Sequence, residues 1–245
     1  MLQAQGLAKR FGDLSILENF DLRVPGRGFT VLIGPSGCGK TTLFNVLAGV
    51  VTKDRGQIWW HGRQVSHMGR RAAYMQQKDL LLPWCSLIDN ALLPCKIIGT
   101  DIAAARAKAL VLFQRLGLAG FEAYLPGEIS GGMRQRCALV RTLMFEHELV
   151  LLDEPLSALD AITRRSLQSL LLMLQTEFDR SILMITHDIE EALVLADELL
   201  VVSRAPMRVL EQFALSGTKP RSIHDSRLLE IKEHVLQRLE RELSV

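Results

Sequence analysis

No stretch of this 245-residue sequence is apolar enough to cross a bilayer as a helix, which takes roughly 18 or more apolar residues. The densest apolar stretch, residues 193–202, is interrupted by Asp197 and Glu198. The first residues also lack the apolar segment of a signal peptide. We therefore expect that the chain does not span a membrane by itself, and that any role in transport requires a separate membrane partner.

The sequence has few cysteines and no concentrated positive charge. The cysteines form no CxxC pair and have no histidine cluster near them, which argues against a zinc site and suits small buried side chains in a reducing compartment. They are Cys38, Cys85, Cys95 and Cys137. The net charge is only +2, without a block of Lys and Arg. Because nucleic-acid binders concentrate positive charge on one surface, we expect no nucleic-acid partner.

Short apolar runs alternate with segments of helical spacing, which predicts an α/β sheet domain. Strands are predicted at 29–33, 57–60, 72–75, 149–152, 181–186, 199–203 and 208–213, the second and third of them around a turn at His61-Gly62. Helices are predicted at 41–48, 87–98, 101–117, 131–146, 159–178, 189–196 and 226–243. Helical material is thus inserted at about 86–142, and a polar segment at 216–225 separates a domain over 1–220 from a short helical tail over 221–245.

The glycine-rich motif GPSGCGKT, residues 34–41, follows a predicted strand and opens a predicted helix. This G-x-x-x-x-G-K-[ST] pattern is typical of a loop that wraps its backbone N–H groups around phosphates. Lys40 would contact the β- and γ-phosphates, and the Thr41 hydroxyl would ligate Mg²⁺. The strand before the motif and the helix after it argue against an accidental turn. The residues predicted to bind nucleotide here, called the P-loop below, are Gly34, Pro35, Ser36, Gly37, Cys38, Gly39, Lys40, Thr41 and Thr42.

Two further segments carry groups suited to phosphate chemistry. Asp153 and Glu154 follow the apolar run LVLL, where the end of a parallel strand meets a ligand crevice. Asp153 would hold Mg²⁺ through water, and Glu154 would act as general base on the attacking water. ISGGM, residues 129–133, is a second glycine-rich helix start, suited to a terminal phosphate. Taken alone, the acidic pair is equally typical of an exposed loop, and Ser130 of an ordinary helix N-cap.

Together these motifs resemble the nucleotide-binding subunits of ABC transporters, over about residues 1–215. The ordered set is GPSGCGKT, Gln77, ISGGMRQR, LLDEP, SALD at 157–160, and His187 in ITHD. The resemblance implies an α/β fold: a P-loop (RecA-like) ATPase core with an N-terminal antiparallel β subdomain and an inserted α-helical subdomain. It also implies ATP and Mg²⁺ as cofactors, and a dimer of two copies with composite ATP sites.

The resemblance assigns roles to individual residues. Phe11 would stack on adenine, although the alternative of a core aromatic stays open. Gln77, which is preferred to its neighbour Gln76, would reach Mg²⁺ and the attacking water. His187 would contact the γ-phosphate, and Asp160 would link the two sites across the dimer. The signature segment, Ser130, Gly131 and Gly132, would bind the γ-phosphate of ATP held by the opposite copy.

The sequence is most similar to the nitrate/sulfonate/taurine branch of bacterial importers, which also includes carriers of vitamin precursors. It departs from the usual family signature at Ile129 and Met133 but keeps the Ser-Gly-Gly core. The implied partners are integral membrane permease subunits and, indirectly, a solute-binding protein, which places the chain on the cytoplasmic face of the inner membrane. Residues 77–95 would dock the permease, although Trp84 is equally typical of core packing.

Two other classes of function fit the sequence less well. A non-transport ABC ATPase acting on DNA, ribosomes or the division machinery would usually carry a coiled-coil insertion or a duplicated domain, and neither occurs here. A small-molecule P-loop kinase would leave the signature segment, SALD and His187 unexplained.

Overall fold

The computed structural model describes residues 1–157 and 160–243, which form ten strands and seven α-helices within those ranges. The strands are β1 (Leu2–Phe11), β2 (Leu14–Val24), β3 (Phe29–Ile33), β4 (Arg55–Trp60), β5 (Arg63–Val65), β6 (Ala72–Met75), β7 (Leu149–Asp153), β8 (Ser181–Ile185), β9 (Glu198–Val202) and β10 (Val209–Ala214). The helices are α1 (Lys40–Ala48), α2 (Leu87–Ile98), α3 (Ile102–Arg115), α4 (Gly131–Leu143), α5 (Ala161–Thr176), α6 (Ile189–Leu195) and α7 (Ser226–Leu243).

The strands form two sheets of different kinds. The main sheet has the order β10-β9-β3-β8-β7-β6, and its pairs are parallel except for β9 with β10. The smaller sheet, β2-β1-β4-β5, is antiparallel throughout. Because β3, β7 and β8 are parallel neighbours, the loops that follow them meet at one edge of the main sheet.

Alternating residues of the central strands pack on opposite faces of the main sheet. Leu149 and Leu151 join an apolar cluster with α1 and the antiparallel sheet, whereas Val150 and Leu152 join a cluster with the inserted helices and α5. Every residue of β3, β7 and β8 is buried. A strand covered on both faces reads as a continuous apolar run, which explains why these three strands were predictable.

The inserted helices α2, α3 and α4 follow β6 and precede β7, as the predicted insertion requires. Ser86 caps α2 and Asp101 caps α3 through side-chain hydrogen bonds to the first-turn N–H groups. The tail helix α7 buries Leu228 and Val235 in the cluster shared with the inserted helices. The domain boundary at residue 220 stays a prediction.

One predicted pairing is wrong. The strand that pairs with β4 across His61-Gly62 is β5, not the strand over 72–75. Residues 72–75 form β6, which pairs in parallel with β7 in the main sheet. β6 is largely buried there, and its short apolar run belongs to the core, whereas β5 has exposed Arg63 and Gln64.

Two open alternatives are settled by exposure. Phe11 is 50% exposed and Trp84 is 73% exposed, so neither is a core aromatic. The predicted helix start at residue 159, part of the SALD motif and the last two residues of the tail lie outside the described residues. Among the described residues, no helix has the length and apolarity needed to cross a membrane.

Candidate nucleotide and metal site

The P-loop joins the buried strand β3 to helix α1 at the edge where the parallel strands end. Gly39 stands at the N-cap of α1 with φ 113°, and as a glycine it has no side chain to cap the first turn. The first N–H groups of a helix lack partners within the helix, so this end presents donors to an anion. Gly34 is required for space, since a Cβ there would lie 2.5 Å from Cγ2 of Val202.

Lys40 is buried at the floor of this loop. Its Nζ donates to the carbonyl oxygens of Gly34 and Pro35, at 2.8 Å in both cases. Its charge has no carboxylate partner among residues 1–157 and 160–243 within ion-pair distance. A buried ammonium whose described partners are neutral groups is well placed to take phosphate oxygens as stronger partners. The thiol of Cys38 lies 3.7 Å from Nζ of Lys40 and 3.9 Å from Sδ of Met207.

Asp153 and Thr41 form the oxygen cluster predicted for the metal. The Thr41 hydroxyl donates to Oδ2 of Asp153 at 2.7 Å, and Asp153 is 1% exposed. Burial raises the pKa of the Asp153 carboxyl, and the hydrogen bond from Thr41 only partly opposes this. A buried carboxylate beside a hydroxyl is a hard oxygen donor set, which fits Mg²⁺ with several waters retained.

Glu154 lies where β7 leads into the site, and its backbone is left-handed with φ 51°. The Glu154 N–H donates to the Ile185 carbonyl at 2.9 Å, which holds this turn against the end of β8. Oε2 of Glu154 lies 3.4 Å from Nε2 of Gln77 and 3.3 Å from Nδ1 of His187. The structure therefore brings two predicted residues, from two other segments, to the carboxylate of a third.

Gln135, in helix α4, is a site residue that the sequence analysis did not single out. Its Nε2 donates to the Glu154 carbonyl at 2.8 Å and lies 3.5 Å from Oγ of Ser157. It therefore ties the helix of the signature segment to the turn that carries Glu154. The only signal was its place five residues after Ser130 on the same helix, in the RQR run.

The signature segment begins α4 with its cap satisfied. Oγ of Ser130 accepts the Met133 N–H at 3.3 Å, so the ordinary N-cap role holds in this chain. Ser130 and Gly131 are exposed. Gly131 and Gln77 nevertheless line one open cavity with Gln135 and Ser157, which places the signature segment beside the Glu154 turn.

Asp160 and Phe11 lie on the surface. Asp160 caps α5, accepting the N–H groups of Ile162 and Thr163 at 3.1 and 3.0 Å, and hydrogen bonds from Thr163 lower the pKa of its carboxyl. Phe11 ends β1, and Nζ of Lys9 lies 5.2 Å from its ring centroid. An exposed ring at a strand end is available for stacking on a base.

A buried network supports the loop of His187. Thr186 donates to Oε2 of Glu191 at 2.8 Å and accepts the Asp188 N–H at 3.1 Å. Burial raises the pKa of the Glu191 carboxyl, and Arg164 of α5 lies 3.5 Å from its Oε1. The loop is therefore fixed from α5, the helix that Asp160 begins.

Comparisons with known proteins agree with this site. The sequence pattern of the ABC transporter family matches residues 17–157. A protein of Escherichia coli O157:H7 named taurine import ATP-binding protein TauB is 38% identical over 247 residues, covering 98% of this chain and 97% of the relative. The protein of the same name from Rhizobium johnstonii is 42% identical over 209 residues, covering 85% of this chain and 80% of the relative.

Solved structures share the fold. An ATP-binding cassette, solved as a dimer in a post-hydrolysis state with ADP and Pi, matches with a TM-score of 0.81 at 24% identity, over 89% of this chain and 100% of that chain. An ATP-binding subunit of an ABC transporter matches with a TM-score of 0.81 at 22% identity, over 100% of both chains. By its sequence match, its relatives and its fold, this chain belongs to the ABC transporter family, as one of the ATP-hydrolysing subunits.

Proposed function

We propose that the P-loop holds ATP while the Glu154 turn activates water for its hydrolysis. Lys40 exchanges its two carbonyl partners for phosphate oxygens, and the free N–H groups of the first turn of α1 bind the same phosphates. Glu154 accepts the proton of the attacking water. His187 and Gln77, both within 3.4 Å of its carboxylate, orient that water and the γ-phosphate.

Thr41 and Asp153 would hold Mg²⁺ in this proposal, with Gln77 as a further oxygen donor. The ion would neutralise charge on the phosphate oxygens. The support is the buried carboxylate of Asp153, whose described hydrogen-bond partner is the Thr41 hydroxyl. The close grouping of Gln77, Glu154 and His187 is the observation that carries the ATPase proposal.

Two copies would close on two ATP molecules. The exposed Ser130 and Gly131 of one copy would contact the γ-phosphate held by the P-loop of the other, with Asp160 at the junction. In a single chain, this exposed segment would have no phosphate to bind. A second copy would bring it the γ-phosphate of the ATP held in its own P-loop. The dimeric cassette with the same fold supports this arrangement.

The ATPase would power import of a small anionic solute, of the taurine, sulfonate or nitrate class. Support comes from the relatives, whose names state taurine import. The chain would act on the cytoplasmic face of the inner membrane, bound to permease subunits. A solute-binding protein would deliver the solute to those subunits. The exposed Leu80, which lines one cavity with Gln77, and the exposed Trp84 would contact the permease. Loading of the permease with solute would then be sensed next to the attacking water.

Glu154→Gln tests the catalytic assignment. Because Gln keeps the shape but accepts no proton, turnover should fall at least about 100-fold, while ATP binding persists and an ATP-dependent dimer accumulates. ATP binding is measured by fluorescent-nucleotide titration and the dimer by light scattering. Glu148→Gln is the control, since Glu148 is exposed and pairs with His61 just before β7. Native turnover in Glu154→Gln would remove Glu154 as the base.

Uptake by proteoliposomes tests the solute. The chain is reconstituted with its permease and binding protein, and entry of labelled taurine is followed with and without ATP. We expect ATP-dependent uptake that Glu154→Gln abolishes, and that unlabelled alkanesulfonates reduce. Uptake of a neutral vitamin precursor in place of taurine would move the transporter to the other solute class while leaving the ATPase assignment intact.

A further inference from the structure

A cavity of about 350 Å³ lies at the end of the main sheet opposite the P-loop. Ala73 of β6 and Val150 of β7 form its floor, and both are buried. α3 of the inserted helices forms one wall, and the C-terminal part of α5 forms the other. The volume falls at the lower end of the range for small-molecule sites, about 300–1,000 Å³.

The walls of this cavity are apolar. Leu112, Leu143 and Leu174 line its depth and are each 8% exposed. Val111 and Phe178 stand nearer the opening, where they are 51% and 49% exposed. Two large apolar side chains half-exposed at the mouth of an apolar cavity favour a ligand with an apolar body.

Charge at the opening is mainly positive. Lys108, Arg115 and Arg180 line the cavity against one carboxylate, Glu146. Lys108 pairs with that carboxylate, and Arg180 donates to the Glu146 carbonyl at 2.8 Å. Two guanidinium groups therefore remain without a carboxylate within ion-pair distance in the described part of the chain.

Arg115 is held toward the cavity by a weak partner. Its Nη1 contacts Sδ of Met173 on the opposite wall. A thioether is a poor hydrogen-bond acceptor, so this donor gains when a carboxylate, sulfonate or phosphate replaces the sulfur. Lys108, Val111, Leu112 and Arg115 recur at helical spacing, so that one face of α3 presents two cations around two apolar side chains.

We propose that this cavity binds a small amphipathic anion, with its apolar body between α3 and α5 and its acidic headgroup at Arg115 and Arg180. The volume suits a single short chain and not a two-chain lipid, so the ligand is a free small molecule. Because its walls come from both the inserted helices and the sheet core, the bound ligand would bridge these two parts of the chain. The site is separate from the nucleotide site and does not depend on the proposed ATPase mechanism.

Three probes with one tail and different head charges test the site. Octanoate, octanol and octylammonium are titrated into the full chain without nucleotide, and binding is measured by ligand-observed NMR. Octanoate should bind best, octanol more weakly, and octylammonium least. Arg115→Gln should weaken octanoate about tenfold, the loss expected for one charge-assisted hydrogen bond. Arg106→Gln is the matched control, since Arg106 is exposed on the same helix away from the cavity.

A second variant fills the cavity without removing charge. Val111→Trp places a large ring at a half-exposed wall, where folding should tolerate it, and should abolish octanoate binding. Circular dichroism checks that both variants fold. Any of three results would overturn the proposal. The first is that octanoate shows no binding, and the second is that it binds no better than octylammonium. The third is that it binds Arg115→Gln and Val111→Trp as tightly as it binds the native chain. None of these results would bear on ATP hydrolysis.

Discussion

The chain has two glycine-rich helix starts that suit phosphate, and they are built differently. At α1 the N-cap is Gly39, which has no side chain to take the first-turn N–H groups. At α4 the Ser130 hydroxyl takes the Met133 N–H. The P-loop also contains a buried lysine beside a buried strand, whereas Ser130 and Gly131 are exposed.

This difference indicates which phosphate site one chain can complete alone. The P-loop has donors, a cation and the Asp153–Thr41 pair within one fold, so we expect it to bind nucleotide in a single copy. The signature segment has few donors left over and faces solvent, so we expect it to contribute only when a second copy brings a phosphate to it. Variants in each segment should therefore separate binding from turnover.

The largest effect should come from Lys40→Ala. Removing the only buried ammonium of the P-loop leaves phosphate charge without its main cation, and we expect ATP affinity to fall at least about 100-fold. Fluorescent-nucleotide titration at a protein concentration where the chain is monomeric measures this.

Lys53→Ala is the control for Lys40→Ala. Lys53 donates to the Ser66 carbonyl at 2.9 Å, and so it too bonds a neutral carbonyl, but outside the P-loop. Affinity should not change in this variant. Native ATP affinity in Lys40→Ala would mean that the P-loop is not the primary nucleotide site, and the contrast between the two helix starts would fail.

Ser130→Asp should give a smaller and more selective effect. Asp caps a helix about as well as Ser, so α4 should stay stable, but its charge would repel a γ-phosphate brought by the second copy. We expect turnover to fall about tenfold or more while ATP affinity of the monomer is unchanged. Steady-state phosphate release and nucleotide titration measure the two quantities.

Ser130→Asn separates charge from shape in this test. Asn also caps well and carries no charge, so turnover should be lowered less than in Ser130→Asp. Thermal unfolding should give equal midpoints for both variants. Equal turnover in Asp and Asn variants would show that the segment meets no phosphate, and its role would be capping alone.

The buried parallel strands could be predicted from sequence, whereas β4 was the one strand of the antiparallel sheet that could be. β3, β7 and β8 are covered on both faces and form continuous apolar runs. In β1, the register to β2 shifts at three places between Ala4 and Arg10, so the period-two alternation of a half-buried strand is broken. Only the family resemblance indicated that this part of the chain forms a separate antiparallel sheet.

Within the site, residues in motifs could be predicted and supporting contacts could not. Lys40, Asp153 and Glu154 have characteristic neighbours in the sequence. Gln135 acts through a hydrogen bond to the Glu154 carbonyl, a contact between residues far apart in sequence. The cavity beside Arg115 likewise depends on how α3 and the end of α5 are placed around it, which no local pattern encodes.

The smallest effect, on stability alone, comes from Asp153→Asn without Mg²⁺. Burial raises the pKa of the Asp153 carboxyl in the folded chain, so ionised Asp153 destabilises the fold above that pKa. Asn still accepts a hydrogen bond from the Thr41 hydroxyl but carries no charge. We therefore expect the free energy of unfolding at neutral pH to rise by about 1 kcal/mol. Urea unfolding measures it.

The pH dependence of this stability difference, and its response to ligand, then show whether the buried charge of Asp153 causes it. The advantage of Asn should shrink as pH falls from the raised pKa of the folded chain to the ordinary pKa of aspartate, because protonation removes the buried charge from the native chain as well. With Mg²⁺ and ATP the native chain should become the more stable of the two, since only the native chain binds the metal and gains stability from it.

Asp160→Asn is the comparison, and without ligand it should be less stable than the native chain. Hydrogen bonds lower the pKa of the exposed Asp160 carboxyl, so its charge stabilises the fold at neutral pH. If Asp153→Asn is less stable than the native chain without metal, the Asp153 carboxylate serves the fold and not a cation. The P-loop would then lose the Asp153–Thr41 pair as a metal site, which is the feature that most separates it from the signature segment.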